Sequence, residues 1–271
     1  MTLAELERQT QLDKTETRIL LMHVSGLSRI ELITRSDDSL TTAQLQRFQE
    51  LVTRRQLGEP VAYLTGEREF FSLTFLTTPD VLIPRPDTEL LVELALDKSP
   101  PNASVLDLGT GSGAIAIALA HSRADLHVSA ADISTAALDV ARRNAERLLP
   151  AGRLELLRSD WYHAVAGRRF DTVVSNPPYI VKDDPHLSQG DLRFEPVNAL
   201  TDHGDGDGLS AYRTLISQAP QHLQAGGWLL MEHGYDQAEA VRGLLNQHHF
   251  SEVQSWRDLA GIERVSGGRL S

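Results

Sequence analysis

The sequence contains no cysteine among its 271 residues. This absence excludes disulfide bonds, thiolate zinc sites, iron–sulfur clusters and any mechanism that needs a cysteine nucleophile. The ten histidines show no metal-ligand spacing such as His-Glu-x-x-His. The one adjacent pair, His248-His249, is typical of a solvated helix end. We therefore expect no bound metal.

Long hydrophobic runs and an excess of positive charge are also missing. No apolar run approaches the roughly 18–20 residues that cross a bilayer, and the acidic residues 1–7 are unlike a secretory signal. The sequence has 26 Lys and Arg against 37 Asp and Glu, a formal net charge of −11. Nucleic-acid binding usually needs a clustered basic surface, so this balance weakens that function without excluding a local patch. We expect a cytoplasmic protein with no membrane partner.

The first part of the chain has helical periodicity. Apolar residues recur every three or four positions from Leu20 to Ile33, and residues 39–42 are typical of a capped helix start. This pattern predicts three or four short helices that end at Gly58-Glu59-Pro60. Residues 69–75 and 81–83 then predict a strand pair, with residues 78–80 as its turn.

From residue 84 onward, strands and helices alternate. Apolar segments predict seven strands: Ser104–Leu108, His127–Ala131, Leu154–Leu157, Phe170–Val174, Trp228–Met231, Val253–Trp256 and Arg264–Val265. Helical segments lie between them at Ala114–His121, Thr135–Leu149, Leu209–Leu223 and Gln237–His248. This alternation indicates an α/β fold with a mostly parallel sheet covered on both faces. The glycine–aspartate stretch at 203–208 is either an ordinary surface loop or one that closes over a ligand.

The first of these strands runs into a glycine-rich loop, residues 109–113, that precedes a helix. Such a loop lets the backbone approach a ligand at the carboxyl end of the strand. Gly109, Gly111 and Ala114 also fit the spacing of dinucleotide-binding loops, so the loop alone is ambiguous. Asp107 favours a ligand with an ammonium group, such as S-adenosylmethionine, because a carboxylate beside a pyrophosphate is unfavourable.

Polar and aromatic residues also follow the next two strands. Asp132 ends the second strand, where a carboxylate can accept hydrogen bonds from both ribose hydroxyls; the alternative is an N-cap for the helix that begins near Ser134. Asp160 and Trp161 follow the third strand. There a carboxylate can meet an adenine amino group and an indole can cover the ring face. Taken alone, Trp161 is more typical of a core or rim aromatic, and its position after the third strand favours the ligand role.

The tetrad Asn176-Pro177-Pro178-Tyr179 follows the fourth strand. A residue before proline is extended, and two prolines make a stiff backbone without N–H groups of their own. The Asn176 side-chain oxygen and the Pro177 carbonyl can then each accept one hydrogen of a planar NH2 group, which can stack on Tyr179. This arrangement predicts transfer of an electrophilic methyl group to that nitrogen, with neither metal nor thiol. The alternative is a tight turn at a strand end.

The combination resembles class I S-adenosylmethionine-dependent methyltransferases that act on amino groups of planar systems. Methylation of cytosine at carbon 5 is excluded because it needs a cysteine. Over nearly the whole chain, the sequence resembles the glutamine N5 methyltransferases of peptide chain release factors (the PrmC/HemK family). The segments that carry this closer resemblance are Gly58–Gly66, Glu69-Phe70, Leu82–Glu89, Ser175–Ile180, Phe194–Pro196, Glu232–Gly234 and Asp258–Val265.

The resemblance implies a Rossmann-like fold with a seven-stranded, mostly parallel sheet. It implies a helical substrate-docking domain at 1–67, a β-hairpin linker at 68–83 and a methyltransferase domain at 84–271. The reaction would be methyl transfer from S-adenosylmethionine to the glutamine of the Gly-Gly-Gln motif of release factors. The catalytic residues would be Asn176, Pro177 and Tyr179, with Pro178 added in the substrate site. The cofactor site would comprise Asp107, Gly109, Thr110, Gly111, Ser112, Gly113, Asp132, Asp160, Trp161 and Asn176.

Three other functions remain open at this point. The main alternative is a nucleic-acid methyltransferase that acts on an amino group of adenine or guanine through the same tetrad. A binding module without activity would not need an intact tetrad and glycine loop. A nicotinamide oxidoreductase would share the loop but leaves the tetrad and Asp107 unexplained.

Overall fold

The structure, a computed structural model, describes residues 1–202 and 206–271. It divides into two compact units, Met1–Glu67 with His186–Phe194, and Arg68–Pro185 with Glu195–Ser271. Residues 203–205 of the glycine–aspartate stretch lie outside the described residues. Within the described ranges, no helix is long and apolar enough to cross a membrane.

The first unit is helical. Its helices are α1 (Leu3–Gln9), α2 (Lys14–Ser25), α3 (Arg29–Thr34), α4 (Thr42–Gln56) and α5 (Val61–Thr65). Thr2, Ser28 and Thr41 begin three of them with a capping box. In this motif the side chain of the capping residue accepts from the backbone N–H three residues later, and the side chain of that later residue accepts from the N–H of the capping residue. The prediction that the helices end at residues 58–60 was wrong, because α5 follows directly. Pro60 precedes this helix with a φ of −58°, a value that suits a helix start.

Residues 186–194 belong to the first unit although the sequence predicts the second domain to begin at residue 84. The guanidinium of Arg55 bridges Glu16 at 2.7 Å and Asp191 at 2.8 Å. Arg193 donates a hydrogen bond to the carbonyl oxygen of Leu57. These bonds tie a segment that follows the Asn-Pro-Pro-Tyr tetrad to the ends of α2 and α4.

A hairpin precedes the sheet of the second unit. It consists of β1 (Glu67–Phe70) and β2 (Leu73–Leu76). The predicted partner strand at 81–83 was wrong, since this segment forms no strand and instead buries Val81 and Ile83 in a loop. The turn lies at Phe71-Ser72, whose φ angles are 49° and 60°. Tight hairpin turns of this kind usually contain Asn-Gly or Asp-Gly, so this turn has no recognisable sequence signal.

The second unit is built on one seven-stranded sheet. Its strands are β3 (Ser104–Leu108), β4 (His127–Asp132), β5 (Leu154–Arg158), β6 (Phe170–Ser175), β9 (Leu223–Glu232), β10 (Ser251–Arg257) and β11 (Glu263–Arg269); a separate short pair is β7 (Ile180–Val181) and β8 (Thr201–Asp202). The helices are α6 (Glu89–Lys98), α7 (Ala114–Ser122), α8 (Thr135–Leu148), α9 (Val197–Leu200), α10 (Ser210–His222) and α11 (Ala238–Gln247).

The strand order is β10-β11-β9-β6-β3-β4-β5. All neighbours from β9 to β5 are parallel, and β11 is antiparallel to both β9 and β10. This arrangement confirms the predicted α/β fold with a seven-stranded, mostly parallel sheet. Successive side chains of β3 belong to two different apolar cores: Val105 packs in one core and Leu106 packs in the other. Both faces of the sheet are therefore covered.

The order of the strands determines where a ligand can bind. The chain passes from β3 outward through β4 and β5, and then returns to β6 on the other side of β3. The connections on the two sides of β3 therefore separate at its carboxyl end, which is where open α/β sheets form a crevice. Ligands of open α/β sheets bind at such a switch point.

Candidate active site

The glycine-rich loop lies at this switch point. The amides of Gly109 and Thr110 both donate to the carbonyl of Ala131, at 2.9 and 3.0 Å. Gly109, Gly111 and Gly113 have φ angles of 74°, 55° and 82°, a region that favours glycine. A Cβ atom on Gly111 would meet nothing within 4 Å, and one on Gly109 would meet only the ring of Trp161 at 3.9 Å. At Gly109 and Gly111 the loop thus presents backbone to open space, whereas Gly113 is packed against Ile117 and Ala141.

Asp107 lies beneath this loop rather than on its surface. Its side chain is fully buried, Oδ2 accepts a 2.6 Å hydrogen bond from the Thr110 hydroxyl, and Oδ1 has no hydrogen-bond partner among the described residues. Burial raises the pKa of Asp107 to about 7, although the hydrogen bond from Thr110 acts in the opposite direction and lowers it. The carboxyl therefore braces the loop from inside, and its contact with a ligand ammonium stays a prediction.

Asp132 at the end of β4 also bonds to the loop. Its Oδ2 accepts from the Gly111 amide and its Oδ1 from the Ser134 amide, both at 2.9 Å. Burial raises the pKa of Asp132 above its ordinary value, and these backbone hydrogen bonds offset only part of that rise. The alternative prediction of an N-cap was wrong, because the Ser134 hydroxyl caps α8 by accepting from Ala137. Asp132 keeps further lone pairs for a ligand hydroxyl.

Trp161 borders the same crevice. It is half-buried, and its backbone is held at a φ of 45° by a 2.7 Å bond from the Ser159 hydroxyl to the Trp161 carbonyl. Its indole lies beside Gly109. Asp160, the preceding residue, is exposed. The structure therefore brings the glycine loop, Asp132 and Trp161 together, and their contacts with a cofactor remain predictions.

The tetrad lies next to the glycine loop. Leu108 of β3 is opposite Ser175 of β6, so Gly109 and Asn176 leave neighbouring parallel strands at the same edge. The Asn176 Nδ2 atom donates to the Thr88 hydroxyl at 3.3 Å. Pro177 is buried. These positions place the candidate acceptors for a substrate amide beside the candidate cofactor loop.

Tyr179, at the end of the tetrad, offers an aromatic ring for packing and does not act as an acid or base near neutral pH. Burial raises its pKa to about 12, and the charge of Glu232 adds to this shift. Its carbonyl oxygen accepts from the Gln237 side chain at 3.2 Å, and the same Nε2 atom donates to Gly208 at 3.2 Å. A Cβ atom on Gly208 would lie 2.4 Å from the Tyr179 carbonyl, so only glycine fits there.

Sequence reasoning missed several residues that hold the site. Asn144 is fully buried and bonds to Ser112 and Leu76, which ties the glycine loop to the hairpin. Gln237 fixes the tetrad backbone as described above. Asn144 lies on α8 and Gln237 directly precedes α11, and both are remote in sequence from the motifs that they support. A polar residue within an otherwise apolar helix face is the signal that could have identified Asn144.

The segment Leu82–Glu89, which carries part of the resemblance, makes several contacts within the second unit through Arg85, Asp87 and Glu89. Arg85 pairs with the buried Glu195, which also accepts from the amide of Ile83. Glu89 accepts from the Phe71 amide at 2.8 Å and so holds the hairpin turn. Asp87 lies 3.5 Å from Arg264. Among the described residues, no group of three or more acidic and histidine side chains could hold a metal ion.

Comparisons with known proteins agree with this geometry. Residues 2–66 match the PrmC N-terminal domain family, and residues 84–192 match the methyltransferase small domain family. The release factor glutamine methyltransferase of Burkholderia pseudomallei is 58% identical over 99% of this chain and 96% of its own length. The enzyme of the same name from Neisseria gonorrhoeae is 49% identical over 99% of this chain and 98% of its own.

Among solved structures, the Thermus thermophilus 16S rRNA N2 G1207 methyltransferase, in complex with AdoMet and guanosine, shares the fold. It has a TM-score of 0.54 and 20% identity, over 76% of this chain and 50% of that one. At this identity the likeness shows the fold alone. The identity to the two bacterial relatives over almost the whole length decides the family. The chain belongs to the release factor glutamine methyltransferases.

Proposed function

We propose that this protein transfers the methyl group of S-adenosylmethionine to the side-chain nitrogen N5 of the glutamine in the Gly-Gly-Gln motif of peptide chain release factors. The observation that carries the proposal is the placement of Asn176 beside Gly109 at the switch point of the sheet. This position puts amide acceptors next to an open glycine loop. The names of the full-length relatives support a release factor as the substrate.

The residues of the crevice fit S-adenosylmethionine. The backbone at Gly109 and Gly111 faces open space, which a nucleoside needs for close approach. The Asp132 carboxylate would accept from ribose hydroxyls, and the half-buried indole of Trp161 offers a face for adenine. When bound, this cofactor supplies an electrophilic methyl group on a sulfonium sulfur.

The protein's part in the reaction is to orient a poor nucleophile. The lone pair of an amide nitrogen is delocalised into its carbonyl group. Asn176 Oδ1 and the Pro177 carbonyl would each accept one N–H of the glutamine amide, and Tyr179 would pack against its plane. This arrangement directs the nitrogen lone pair out of the amide plane, toward the methyl group. As the new N–C bond forms, the bond between the methyl carbon and the sulfonium sulfur would break, and the sulfur would leave as a neutral thioether that keeps this electron pair. The nitrogen would carry the positive charge until it releases one proton to water, so no buried general base is required.

The experiment is methylation of a purified release factor with methyl-labelled S-adenosylmethionine. We expect one labelled methyl group per release factor, located on the glutamine of its Gly-Gly-Gln motif by peptide mass spectrometry. The matched control is a release factor in which this glutamine is alanine, and it should stay unlabelled. Labelling of the control, or labelling of RNA or DNA in place of the release factor, would overturn the proposal.

A further inference from the structure

A buried carboxyl stands beside the amide of Asn176. In the parallel pair β6 and β9, Ser175 is opposite Met231, so Asn176 and Glu232 are neighbours at the strand ends. Glu232 is 3% exposed, and its Oε2 atom has no hydrogen-bond partner among the described residues. An unpartnered buried oxygen is costly for the folded protein. This one unpartnered oxygen therefore lowers the stability of the folded protein.

The contact with Thr88 does not by itself orient the Asn176 amide. Nδ2 lies 3.3 Å from the Thr88 hydroxyl, but a hydroxyl both donates and accepts. Either end of the amide could therefore face Thr88. An ionised carboxylate only accepts, so Glu232 is compatible with one end of the amide, the NH2 group. This difference matters because a rotated amide would present N–H groups to the N–H groups of the substrate.

We infer that Glu232 is a positioning residue for methyl transfer, whose carboxylate holds Asn176 with Nδ2 turned inward and Oδ1 available to the substrate amide. This role rests on the role proposed above for Asn176. Glu232 itself does not touch the reacting atoms. It acts through Asn176, together with the Thr88 hydroxyl, which is buried at 4% exposure.

The ionisation of Glu232 falls near neutral pH. Burial raises its pKa to about 7, although hydrogen bonds with the side chains of Thr88 and Asn176 lower it. The charge of Asp87 raises this pKa and that of Arg264 lowers it. Below pH 7 the protonated carboxyl can donate to an amide oxygen, and the selection of one orientation is lost. Activity should therefore rise as the pH rises through 7.

Two phenols also face this carboxyl, and neither changes charge in the same range. Burial raises the pKa of Tyr179 to about 12, and it raises the pKa of Tyr212 well above its ordinary value. The Tyr212 hydroxyl donates to the backbone carbonyl of Glu232 at 2.9 Å, not to its side chain. Of the groups named around the carboxyl, Glu232 is thus the one whose pKa is raised into the neutral range.

The first test measures kcat and KM for the release factor between pH 6 and 8.5. In Glu232→Gln we expect kcat at pH 8 to fall on the order of 10-fold to 100-fold, with KM and cofactor affinity within about twofold. The rise of kcat through pH 7 should become shallower, and any part that remains would come from Asp107, whose pKa is also raised to about 7. The matched control is Glu239→Gln, an exposed position on α11, which should keep the kcat and the pH profile of the wild type.

The second test needs no turnover. In the nitrogen-15 spectrum of the wild type, the side-chain NH2 signals of Asn176, identified by their loss in Asn176→Ala, should titrate near pH 7. They should not do so in Glu232→Gln. Signals that do not shift in the wild type, or a Glu232→Gln enzyme with normal kcat and pH profile beside an impaired Asn176→Ala enzyme, would overturn the role of Glu232. An inactive wild type or a normal Asn176→Ala enzyme would instead overturn the proposed function.

Discussion

Replacing Asn144 with alanine removes the link between the glycine loop and the hairpin. Its Nδ2 donates to the carbonyls of Leu76 at 3.0 Å and Ser112 at 2.9 Å, and its Oδ1 accepts from the Leu76 amide at 2.7 Å. Truncation leaves three backbone groups without partners, at a cost of about 1–3 kcal/mol each. Because small shifts and water recover part of this, we expect the free energy of unfolding to fall by about 3–5 kcal/mol.

The assay is urea denaturation followed by tryptophan fluorescence. All three tryptophans, at 161, 228 and 256, belong to the second unit, so the signal reports on the unit that contains Asn144. The control is Asn246→Ala at the exposed end of α11, where we expect a change within about 0.5 kcal/mol. A loss below about 1 kcal/mol for Asn144→Ala would refute the reasoning, because it would mean that these bonds are readily replaced.

Two further predictions concern the carboxyls around the loop. In Asp132→Asn, loss of the charged acceptor should raise the dissociation constant for S-adenosylmethionine by roughly 10-fold to 100-fold in calorimetry; an unchanged constant would contradict this role. Burial raises the pKa of Asp107 from 3.8 to about 7, so the folded state binds the proton more tightly, and stability should fall by roughly 2–4 kcal/mol as pH rises from 4 to 7. In urea titrations of Asp107→Asn, the free energy of unfolding should fall less steeply between pH 4 and 7 than in the wild type, and Glu232 should account for the fall that remains. An equal fall in the variant and the wild type would contradict the raised pKa of Asp107.

The sheet was predictable from the sequence because its strands are short, buried and apolar. The strand Ser104–Leu108 was predicted with its observed bounds, and the others differ mainly in length at their ends. The prediction for β11 covered only Arg264–Val265, whereas the strand continues to Arg269 and includes Gly267 and Gly268. A Cβ atom on Gly267 would lie 2.6 Å from the Leu229 carbonyl, so glycine is needed for close packing where propensity argues against a strand.

The positions of the site residues were predictable for a related reason. The loop at Gly109 and the tetrad at Asn176 each follow a predicted strand, and parallel strands bring their carboxyl ends to one edge. Asp107 shows the limit of this reasoning. Its side chain lies under the loop, fully buried, and sequence spacing does not tell whether a side chain at a strand end faces the ligand or the core.

The supporting contacts were not predictable. Glu232 meets Asn176 through strand register between segments far apart in the chain, which the sequence alone does not reveal. The hairpin turn at Phe71-Ser72 has positive φ angles without glycine or asparagine. Glu89 holds it by accepting from the Phe71 amide, so tertiary contact replaces local preference there.

The most direct test of the account is single-turnover methyl transfer by Asn176→Ala, with saturating S-adenosylmethionine whose binding is measured separately. Loss of one preorganised acceptor should slow transfer to the release factor glutamine by an amount that corresponds to about 2–4 kcal/mol. Cofactor binding by this variant should remain sufficient for saturation. A transfer rate near that of the wild type would contradict the claim that Asn176 holds and orients the substrate amide.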